Sequence, residues 1–430
     1  MLLIKDGFVI DPKTGTEGKR DILTDGDRIV KIEPEIDERN IEGGVHVIDA
    51  MGCMVTPGLV DTHSHFRDPG QTHKEDIHTG SLAAAKGGYT SIVMMANTKP
   101  SIDSVPVLSD VLKRGSREKI HLYSAANVTL AMQGKERTDF AALKKAGAVV
   151  FTDDGKPITD AALLKDAMQA AKALDMPISL HEEDPSFVTN PGVNAGGKAA
   201  ASLGLAGADR KAEVTLVDRD LNLAVETGCK LCIQHISAAE SVELVRQARK
   251  QNQDIHAEAT PHHFSLTEDA VLSHGTLAKV NPPLRLESDR EAILDGIADG
   301  TIDIIATDHA PHAKDEKAQE FTKAPSGMIG LETALSLAIA QIVRPGILTL
   351  EKMLPLLTVN PAAFYGLPAG SLAVGAPADL LVFDFGRSWT VSEHFASKSQ
   401  NSPFIGQSLP GVVLCTIAGG RIAYQNEDFR

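Results

Sequence analysis

The stretch VDTHSHFRDPG, residues 60–70, decides how the rest of the chain is interpreted. It continues the apolar run MVTPGLVD, which predicts a buried strand that ends in polar groups. Successive side chains of a strand point to opposite faces, so His63, His65 and Arg67 are expected on one face. Two such histidines can chelate a divalent metal, and an arginine beside them can bind an anion. An isolated His-x-His also occurs beside ordinary surface turns, so other parts of the sequence must separate the two interpretations.

Composition narrows the class of protein. The chain has 430 residues, enough for one large domain and a smaller one. Its net charge of −15 and its lack of a basic run argue against nucleic-acid binding. No apolar run reaches the ~18 residues of a membrane span, and the start of the chain lacks the pattern of a signal peptide. We therefore expect a cytoplasmic protein with no membrane or nucleic-acid partner.

Cysteine usage agrees with a reducing compartment, because four cysteines in so long a chain do not form a disulfide framework. Cys229 and Cys232 form a C-x-x-C, but a zinc ribbon needs a second such pair. We interpret these two cysteines as packing residues at a strand edge.

The two ends of the chain share one sequence pattern. Short strand patterns with turn signals occupy the first 55 residues, as in LLIKDGFVID, and the last 60 or so, as in ADLLVFDFG. Neither end has enough strands to close a core alone. We predict one small β-sandwich domain built from residues 1–55 and 362–430.

The middle of the chain, residues 56–361, alternates short β-rich runs with Ala- and Leu-rich helical segments. This alternation is typical of parallel β/α units. Eight runs are strand candidates, the number that closes a (β/α)8 TIM barrel. The runs are TPGLVDTHSH, YTSIVMMAN, IHLYSAANV, AGAVVFTDD, PISLHEED, CKLCIQHIS, DIHAEATPHH and TIDIIATDHAPH.

Nearly every one of these runs starts apolar and ends in His, Asp, Asn or Glu. Active sites of such barrels lie at the C-terminal ends of the strands, so the polar residues are expected to meet there. Their imidazole and carboxylate groups suit zinc, with Mn, Fe or Co as alternatives. The set exceeds one tetrahedral site and suits two metals that share a carboxylate. The candidate ligands are His63, His65, Asp153 or Asp154, His181, His235 and Asp308.

Seven motifs occur in the order found in the amidohydrolase superfamily, and together they most resemble dihydroorotases of the long bacterial type, class I. The resemblance spans essentially the whole chain. It implies a barrel with a side domain formed by both termini. It also implies metal-dependent, reversible hydrolysis of the cyclic amide of L-dihydroorotate to N-carbamoyl-L-aspartate, a step of pyrimidine biosynthesis. The motifs are VDTHSHFRDPG, MMANTKP, FTDDGKP, LHEED, QHIS, KVNPPLR and IATDHAPH.

The fourth strand separates this type from its relatives. Hydantoinases and allantoinases carry a carbamylated lysine there as the bridging ligand, whereas FTDDG places an aspartate at that position. The resemblance assigns the bridge to Asp154, with Asp153 as the alternative. Lys156 lies beyond the strand end and precedes Pro157, which disfavours it as the carbamylated residue.

The resemblance also assigns roles in catalysis and substrate binding. Asp308 would act as general acid/base while contacting a metal. Arg67 would bind the substrate carboxylate bidentately. Asn97 and His312 would share that carboxylate.

The ring amide would be held by Asn281 and by the backbone at Ser326 and Gly327. For Asn97 and Asn281, ordinary turn chemistry is the competing interpretation. Ser326 stands where the family frequently has phenylalanine, which leaves the packing of the ring open. The segment at 313–330 is charged and then glycine-rich, as a movable lid would be.

Three alternatives compete with this interpretation: another cyclic amidohydrolase, a non-catalytic partner of a transcarbamoylase, and a barrel with structural polar ends. The complete ligand set with Asp308 argues against the second, and the order of the motifs argues against the third. For the enzyme itself, the resemblance suggests a homodimer and a possible association with aspartate transcarbamoylase.

Overall fold

The computed structural model describes residues 1–429, and its strands fall into two sheets. In chain order the strands are β1 (Leu2–Asp11), β2 (Thr16–Asp25), β3 (Arg28–Glu33), β4 (His46–Asp49), β5 (Met54–Pro57), β6 (Leu59–Ser64), β7 (Tyr89–Met94), β8 (His121–Ala126), β9 (Ala148–Phe151), β10 (Ile178–Leu180), β11 (Leu231–Ile233), β12 (Ile255–Ala259), β13 (Ile304–Ile305), β14 (Leu380–Thr390), β15 (Ser408–Ala418) and β16 (Arg421–Gln425).

Helices separate most of the middle strands. They are α1 (Ile77–Lys86), α2 (Val105–Gly115), α3 (Phe140–Ala146), α4 (Ala161–Ala173), α5 (Lys198–Leu203), α6 (Lys211–Thr227), α7 (Ala239–Arg249), α8 (Pro261–Ser265), α9 (Asp269–His274), α10 (Glu287–Ala298), α11 (Lys314–Lys317), α12 (Ala334–Ala338), α13 (Leu350–Met353) and α14 (Val359–Phe364). Short helical turns lie at Glu38–Asn40, Leu130–Met132, Pro185–Phe187, Gly275–Ala278, Ile339–Val343 and Leu354–Leu357.

Strands β6 to β13 form the barrel, and each pairs in parallel with the next in sequence. The first and last strands meet through a parallel bridge between Ser64 and His309. The amide of His65 donates to the carbonyl of His309 at 2.8 Å at the same point. The predicted (β/α)8 barrel and all eight predicted strands are confirmed in the described part of the chain.

Helix α4 illustrates why the intervening segments are helical. Its first turn is capped by Asp160, whose carboxylate accepts from two backbone amides. Its buried residues, Leu164, Ala167, Met168 and Ala171, follow the spacing of one helix face. That face belongs to the same hydrophobic core as the barrel strands, so the helix covers the outside of the barrel.

The strands at the two ends of the chain form the second sheet, in the order β16-β15-β14-β5-β1-β2-β3, with β4 paired to β1. Strand β5 lies at its centre, parallel to β1 and antiparallel to β14. This sheet has a hydrophobic core of its own, which includes Val9, Ile22, Val55, Val382 and Ile417. A small β-domain built from both termini is thus confirmed as part of the fold, while the domain limits at 55/56 and 361/362 stay a prediction.

Two connections bring the sheets together. Gly58 alone separates β5 of the terminal sheet from β6 of the barrel. The long connection between β14 and β15, residues 391–407, leaves the terminal sheet and packs against the mouth of the barrel. Both connections matter for the site described below.

The two cysteines of the C-x-x-C motif are buried, and both are free thiols. Cys232 lies within β11 and Cys229 just before it. Their burial agrees with a packing role. Among the described residues, no helix combines the length and apolar character that crossing a bilayer requires.

Candidate metal centre and active site

The polar residues at the strand ends meet in one cluster at the mouth of the barrel. His63 and His65 lie at the end of β6, and Asp308 follows β13 on the adjacent side of the barrel. The Nε2 atom of His65 lies 3.0 Å from Asp308 Oδ1, and His63 Nε2 lies 3.6 Å from the same oxygen. The structure therefore brings these three predicted ligands together.

Asp154, after β9, lies at the centre of the cluster and faces four imidazoles. Its Oδ1 is 3.4 Å from His63 Nε2, 3.7 Å from His181 Nδ1 and 3.8 Å from His235 Nε2. Its Oδ2 lies 3.4 Å from His65 Nε2. One oxygen of this carboxylate thus faces three histidines and the other faces His65, as the oxygens of a ligand shared by two metals would.

The cluster fits a cation. His63 is fully buried, and its Nδ1 lies 2.5 Å from the Glu258 carboxylate, which fixes the ring. Its Nε2 is also buried but has no hydrogen-bond partner in residues 1–429, although it points between Asp154 and Asp308. A buried nitrogen without a partner is costly unless something binds it. The donor set of imidazoles and carboxylates is the kind that holds zinc.

Donor atoms in two subsets of the cluster lie within 4.8 Å of one another, the distance expected around a single ion. One subset is His63, His65 and Asp308; the other is His63, Asp154 and His235. His181 completes the second side, with its Nδ1 2.9 Å from His235 Nε2. Five of the six predicted ligands therefore belong to one or both subsets, and the sixth, His181, lies beside His235.

Asp153, the alternative to Asp154, faces away from the cluster. Its carboxylate accepts from the amides of Val128 and Thr129 at 2.9 and 3.2 Å, and from the Thr129 hydroxyl. These bonds tie the end of β9 to the loop after β8. The carboxylate of Asp153 therefore supports the loop, whereas that of Asp154 faces the histidines as a metal ligand would.

Three functional candidates have a left-handed backbone, although none is glycine. The φ angles are 57° for Arg67, 29° for His235 and 43° for Asp308. Such conformations cost roughly 1–3 kcal/mol for ordinary residues and are concentrated at functional sites. They also explain why the alternation of a regular strand does not describe Arg67, which lies beyond the end of β6.

A cavity of about 180 Å³ opens beside the cluster. Its wall includes Asp154 and Asp308 on one side. The six residues predicted to contact substrate also line it: Arg67, Asn97, Asn281, His312, Ser326 and Gly327. The predicted metal ligands and the predicted substrate contacts therefore share one cavity.

Arg67 places a positive charge at this cavity. Its Nε donates to the carbonyl of Pro311 at 3.3 Å, and its Nη2 lies 3.5 Å from His312 Nε2. Among the described residues, no carboxylate forms a salt bridge with this guanidinium. An anionic ligand could therefore pair with it without displacing an acidic side chain.

His312 is held as a neutral imidazole. Its Nε2 donates to the carbonyl of Ser326 at 2.8 Å, while the ammonium of Lys74 lies 3.3 Å from its Nδ1. Burial and the nearby charges of Arg67 and Lys74 lower the pKa of His312 to about 2. The ring can therefore act as a hydrogen-bonding group without changing charge near neutral pH.

The two asparagines line the cavity and bond to other residues around it. Asn97 Oδ1 lies 2.9 Å from His65 Nδ1, and its Nδ2 donates to Asp154 Oδ2 at 3.1 Å. Asn97 thus links two candidate ligands in addition to lining the cavity. Asn281 Oδ1 accepts from the Ser326 hydroxyl at 3.0 Å, which brings two predicted ring contacts together.

Sequence reasoning missed several supporting residues. Glu258 lies in β12 between alanines, and an acidic residue inside an apolar strand was the signal that could have identified it. Lys74 and Asn401 stand in irregular segments and Lys317 ends the four-residue helix α11, where no periodic pattern marks a buried polar residue. Their contacts are visible only in the folded chain.

Comparison with known proteins gives the family. The sequence model of the amidohydrolase family matches residues 54–423 of this chain. The chain belongs to the amidohydrolase family. The matched range contains every residue of the cluster and of the cavity described above.

Curated sequences similar to this amidohydrolase include two dihydroorotases. The protein from Clostridium acetobutylicum is 52% identical over 428 residues, which cover 99% of this chain and 100% of that protein. The protein from Streptococcus pyogenes serotype M3 is 51% identical over 427 residues, with the same coverage.

Solved structures with the same fold include two enzymes with other names. The L-hydantoinase (dihydropyrimidinase) from Arthrobacter aurescens superposes with a TM-score of 0.88 at 26% identity, covering 100% of this chain and 97% of that one. The dihydropyrimidinase from Brevibacillus agri superposes with a TM-score of 0.83 at 22% identity, covering 99% and 95%. The second likeness concerns the fold alone, which this amidohydrolase shares over its whole length.

Proposed function

We propose that this amidohydrolase is a dihydroorotase, which interconverts L-dihydroorotate and N-carbamoyl-L-aspartate by reversible hydrolysis of a cyclic amide. The observation that carries the proposal is the unpaired guanidinium of Arg67, in the same cavity as the His/Asp cluster. Both compounds carry a free carboxylate that takes no part in the bond that opens or closes. The identity of about 50% to dihydroorotases over the full chain supports the same substrate.

The proposed metal is zinc, as one or two ions, with Mn, Fe and Co as alternatives. His63 and His65 with Asp308 would hold one ion, His181 and His235 the other, and Asp154 would be shared. When bound, the metal would polarise the scissile carbonyl and supply hydroxide at neutral pH.

Asp308 is the proposed general acid/base. In ring opening, its carboxylate takes a proton from the attacking water, whose oxygen forms the new bond to the ring carbonyl carbon. The carbon–nitrogen bond then breaks, and Asp308 delivers the proton to the departing nitrogen. Its left-handed backbone and its contact with His65 hold the carboxylate against the cavity.

The remaining side chains orient the substrate. Arg67, Asn97 and His312 would bind the substrate carboxylate, and neutral His312 would donate to it from Nε2 in place of its bond to the Ser326 carbonyl. Asn281 and the backbone at Ser326 and Gly327 would bind the ring amide. These contacts come from two sides of the cavity, so they fix both the position and the face of the ring.

For the cell, we propose a cytoplasmic enzyme of pyrimidine biosynthesis, active as a homodimer and able to associate with aspartate transcarbamoylase. Size-exclusion chromatography with light scattering, with and without that transcarbamoylase, tests both associations. A monomeric elution at micromolar concentration contradicts the homodimer.

Hydrolysis of hydantoins is the second candidate, because the TM-score of 0.88 to an L-hydantoinase shows that the same framework carries that activity. Arg67 argues against it, since a hydantoin ring has no carboxylate to pair with this charge. Asp154 argues against it as well, because hydantoinases carry a carbamylated lysine at this place on the fourth barrel strand.

Ring opening followed by ultraviolet absorbance tests the proposal. Metal-loaded protein is incubated with L-dihydroorotate, hydantoin or allantoin, before and after chelation. Preferential loss of dihydroorotate that stops on chelation and returns with zinc is the expected result. Faster turnover of hydantoin than of dihydroorotate would reverse the assignment in favour of the second candidate.

A further inference from the structure

Residues 397–401, SKSQN, form an irregular polar segment that we name the brace. It belongs to the connection between β14 and β15 and reaches from the terminal sheet to the barrel mouth. Ser397, Ser399 and Asn401 are 5%, 4% and 3% exposed, whereas Lys398 and Gln400 are exposed. The three buried side chains of the segment face the barrel, where they bond to residues of its mouth.

Asn401 uses its whole side chain to join two segments that line the cavity. Its Oδ1 accepts from the amide of His312 at 3.1 Å. Its Nδ2 donates to the carbonyls of Ala310 and Gly327, each at 3.1 Å. Its own carbonyl accepts from the amide of Ile329 at 3.0 Å. The backbone around His312 is therefore tied to the backbone around Gly327 through one side chain.

Ser399 acts on the same histidine by a second route. Its hydroxyl donates to the carbonyl of Lys74 at 2.7 Å. The Lys74 ammonium in turn lies 3.3 Å from Nδ1 of His312. The brace thus supports the backbone of His312 directly and the ring through Lys74.

Ser397 connects the brace to the end of β13. Its hydroxyl bonds to the buried carboxylate of Glu75, which also contacts Nε2 of His309 at 3.3 Å. His309 precedes Ala310, whose carbonyl accepts from Asn401 Nδ2. The three buried residues of the brace therefore act on residues 309–312, Asn401 through their backbone and Ser397 and Ser399 through Glu75 and Lys74.

Asn401 itself does not line the substrate cavity, although His312 and Gly327 do. We propose that Asn401 is a positioning residue, which sets the separation of His312 from the Gly327 backbone and thereby the affinity for the substrate carboxylate. The proposal rests on the proposed function and deepens it. It requires that Asn401 act through His312.

Steady-state kinetics with L-dihydroorotate provide the first test. Asn401→Ala is expected to raise KM by about 10-fold while kcat falls less than about 3-fold, because the carboxylate contacts are displaced and the chemistry is not. Ser402→Ala is the matched control. Ser402 is equally buried in the same connection, but within residues 1–429 its hydroxyl bonds only to the amide of Phe404. A KM for Asn401→Ala that equals the control overturns the proposal.

A double-mutant cycle separates positioning from a general structural role. In the background of His312→Ala, adding Asn401→Ala is expected to change kcat/KM by less than about 3-fold, because the residue through which it acts is gone. Effects of the two substitutions that multiply fully would show that Asn401 acts elsewhere and would overturn the proposal.

Hydrogen–deuterium exchange tests the brace without any substrate. Asn401→Ala should accelerate exchange of the peptide that contains the amide of His312, whereas Ser402→Ala should not. If the wild-type protein leaves dihydroorotate unchanged, the proposed function fails. The exchange measurement still tests whether Asn401 holds the backbone of His312. Exchange in Asn401→Ala that matches wild type refutes the brace even in an active enzyme.

A second variant covers poor folding of Asn401→Ala. Asn401→Asp keeps the size of the side chain and the acceptor for the His312 amide, but it lacks the donors to Ala310 and Gly327. KM should still rise at least about 3-fold, since two of the three side-chain bonds are lost. An unchanged KM in this variant contradicts the proposal.

Discussion

Asp153 and Asp154 are adjacent in the chain, yet their carboxylates have different surroundings. Asp153 is bonded to the backbone and hydroxyl of the loop after β8, and Asp154 faces four imidazoles. A substitution that removes the charge but keeps the shape distinguishes the two roles. The pair is therefore its own control.

We expect Asp154→Asn to lose bound metal and Asp153→Asn to retain it. Asp153→Asn should instead lower the free energy of unfolding by about 1–3 kcal/mol, because it disturbs buried hydrogen bonds. Metal analysis after dialysis and urea titration measure the two effects. Loss of metal in Asp153→Asn with retention in Asp154→Asn would reverse the assignment.

Asp308→Asn should reduce turnover of dihydroorotate by at least about 100-fold, because an amide cannot accept and return the proton. His63 and His65 remain, so the variant is expected to bind metal after reconstitution. Absorbance assays on protein of known metal content provide the measurement. Near-normal turnover with metal bound would remove Asp308 from the role of base.

His312 gives a prediction about pH. Its pKa is about 2 in the folded protein and near 6.5 when unfolded, so only the unfolded state gains a proton between these values. Stability contributed by this group is therefore lost as pH falls below about 6.5, reaching about 2 kcal/mol at pH ~5. The charged or titratable groups that face the ring are Arg67, Lys74, Glu316 and Lys317.

Urea titration of wild type and His312→Gln at two pH values tests whether stability falls with pH in this direction. The wild-type protein should lose about 2 kcal/mol more than the variant between pH ~7 and ~5. Equal losses would show that His312 does not titrate in this way.

At the scale of single residues, the sequence was sufficient for side chains at strand ends. The alternation of apolar and polar positions marked His63, His65 and Asp308, and the structure brings them together. It was insufficient for the orientation of neighbours such as Asp153 and Asp154, because hydrogen bonds to distant loops decide which carboxylate faces the centre. The family resemblance supplied that choice.

At the scale of elements, the loops after β6 and β7 interlock beside the cavity. Gly70, with φ of 96°, lies so close to Lys99 that a Cβ atom there would stand 2.0 Å from the Lys99 carbonyl oxygen. The amide of Lys99 also donates to the carbonyl of Pro69 at 3.0 Å. These two loops carry Arg67 and Asn97, so their contact sets the spacing of two proposed carboxylate ligands.

Gly70→Ala should therefore separate the two loops and lower kcat/KM for dihydroorotate by at least about 10-fold. Gly204→Ala is the matched control, because Gly204 has a similar positive φ of 66° but open space around it. Kinetics of the two variants isolate the effect of the close contact from that of the backbone conformation. Equal activity in both variants would contradict the interlock.

Regular elements could be predicted and irregular ones could not. The strand LLIKDGFVID corresponds to β1, and the helical stretch around α4 matches its 3.6-residue spacing. The brace has no such signal, since its burial depends on contacts with Lys74, Glu75 and His312, more than 85 residues away in sequence. Long-range contacts of coil segments leave no local pattern.

At the scale of the whole molecule, the cluster links strands from both ends of the barrel sheet. Bound metal should therefore stabilise the entire fold. At zinc about 1,000-fold above its dissociation constant, the gain is about 4 kcal/mol, or roughly 4 °C in Tm for a chain of this size. Thermal scans before and after chelation measure it. An unchanged Tm with demonstrated loss of metal would show that the cluster is not coupled to unfolding.

The order of strands in the barrel follows from the alternation of β and α segments, and this part of the fold was accessible to sequence reasoning. The terminal sheet was predicted only as a joint β-sandwich domain without its strand pairing, because the pairing of β14 with β5 depends on contacts across more than 300 residues. The resemblance gave the joining of the two ends, and the pairing itself needed the structure.

The brace and the single-residue link at Gly58 have a consequence for protein engineering. A gene fragment encoding only the barrel would cut the chain at Gly58, between β5 and β6, and would lack Asn401. Under the proposed role of Asn401, grafting the barrel onto another scaffold would keep every residue that lines the substrate cavity but discard the segment that supports it. A transplantable catalytic unit of this molecule would therefore have to include the chain that returns to the barrel mouth from the terminal sheet.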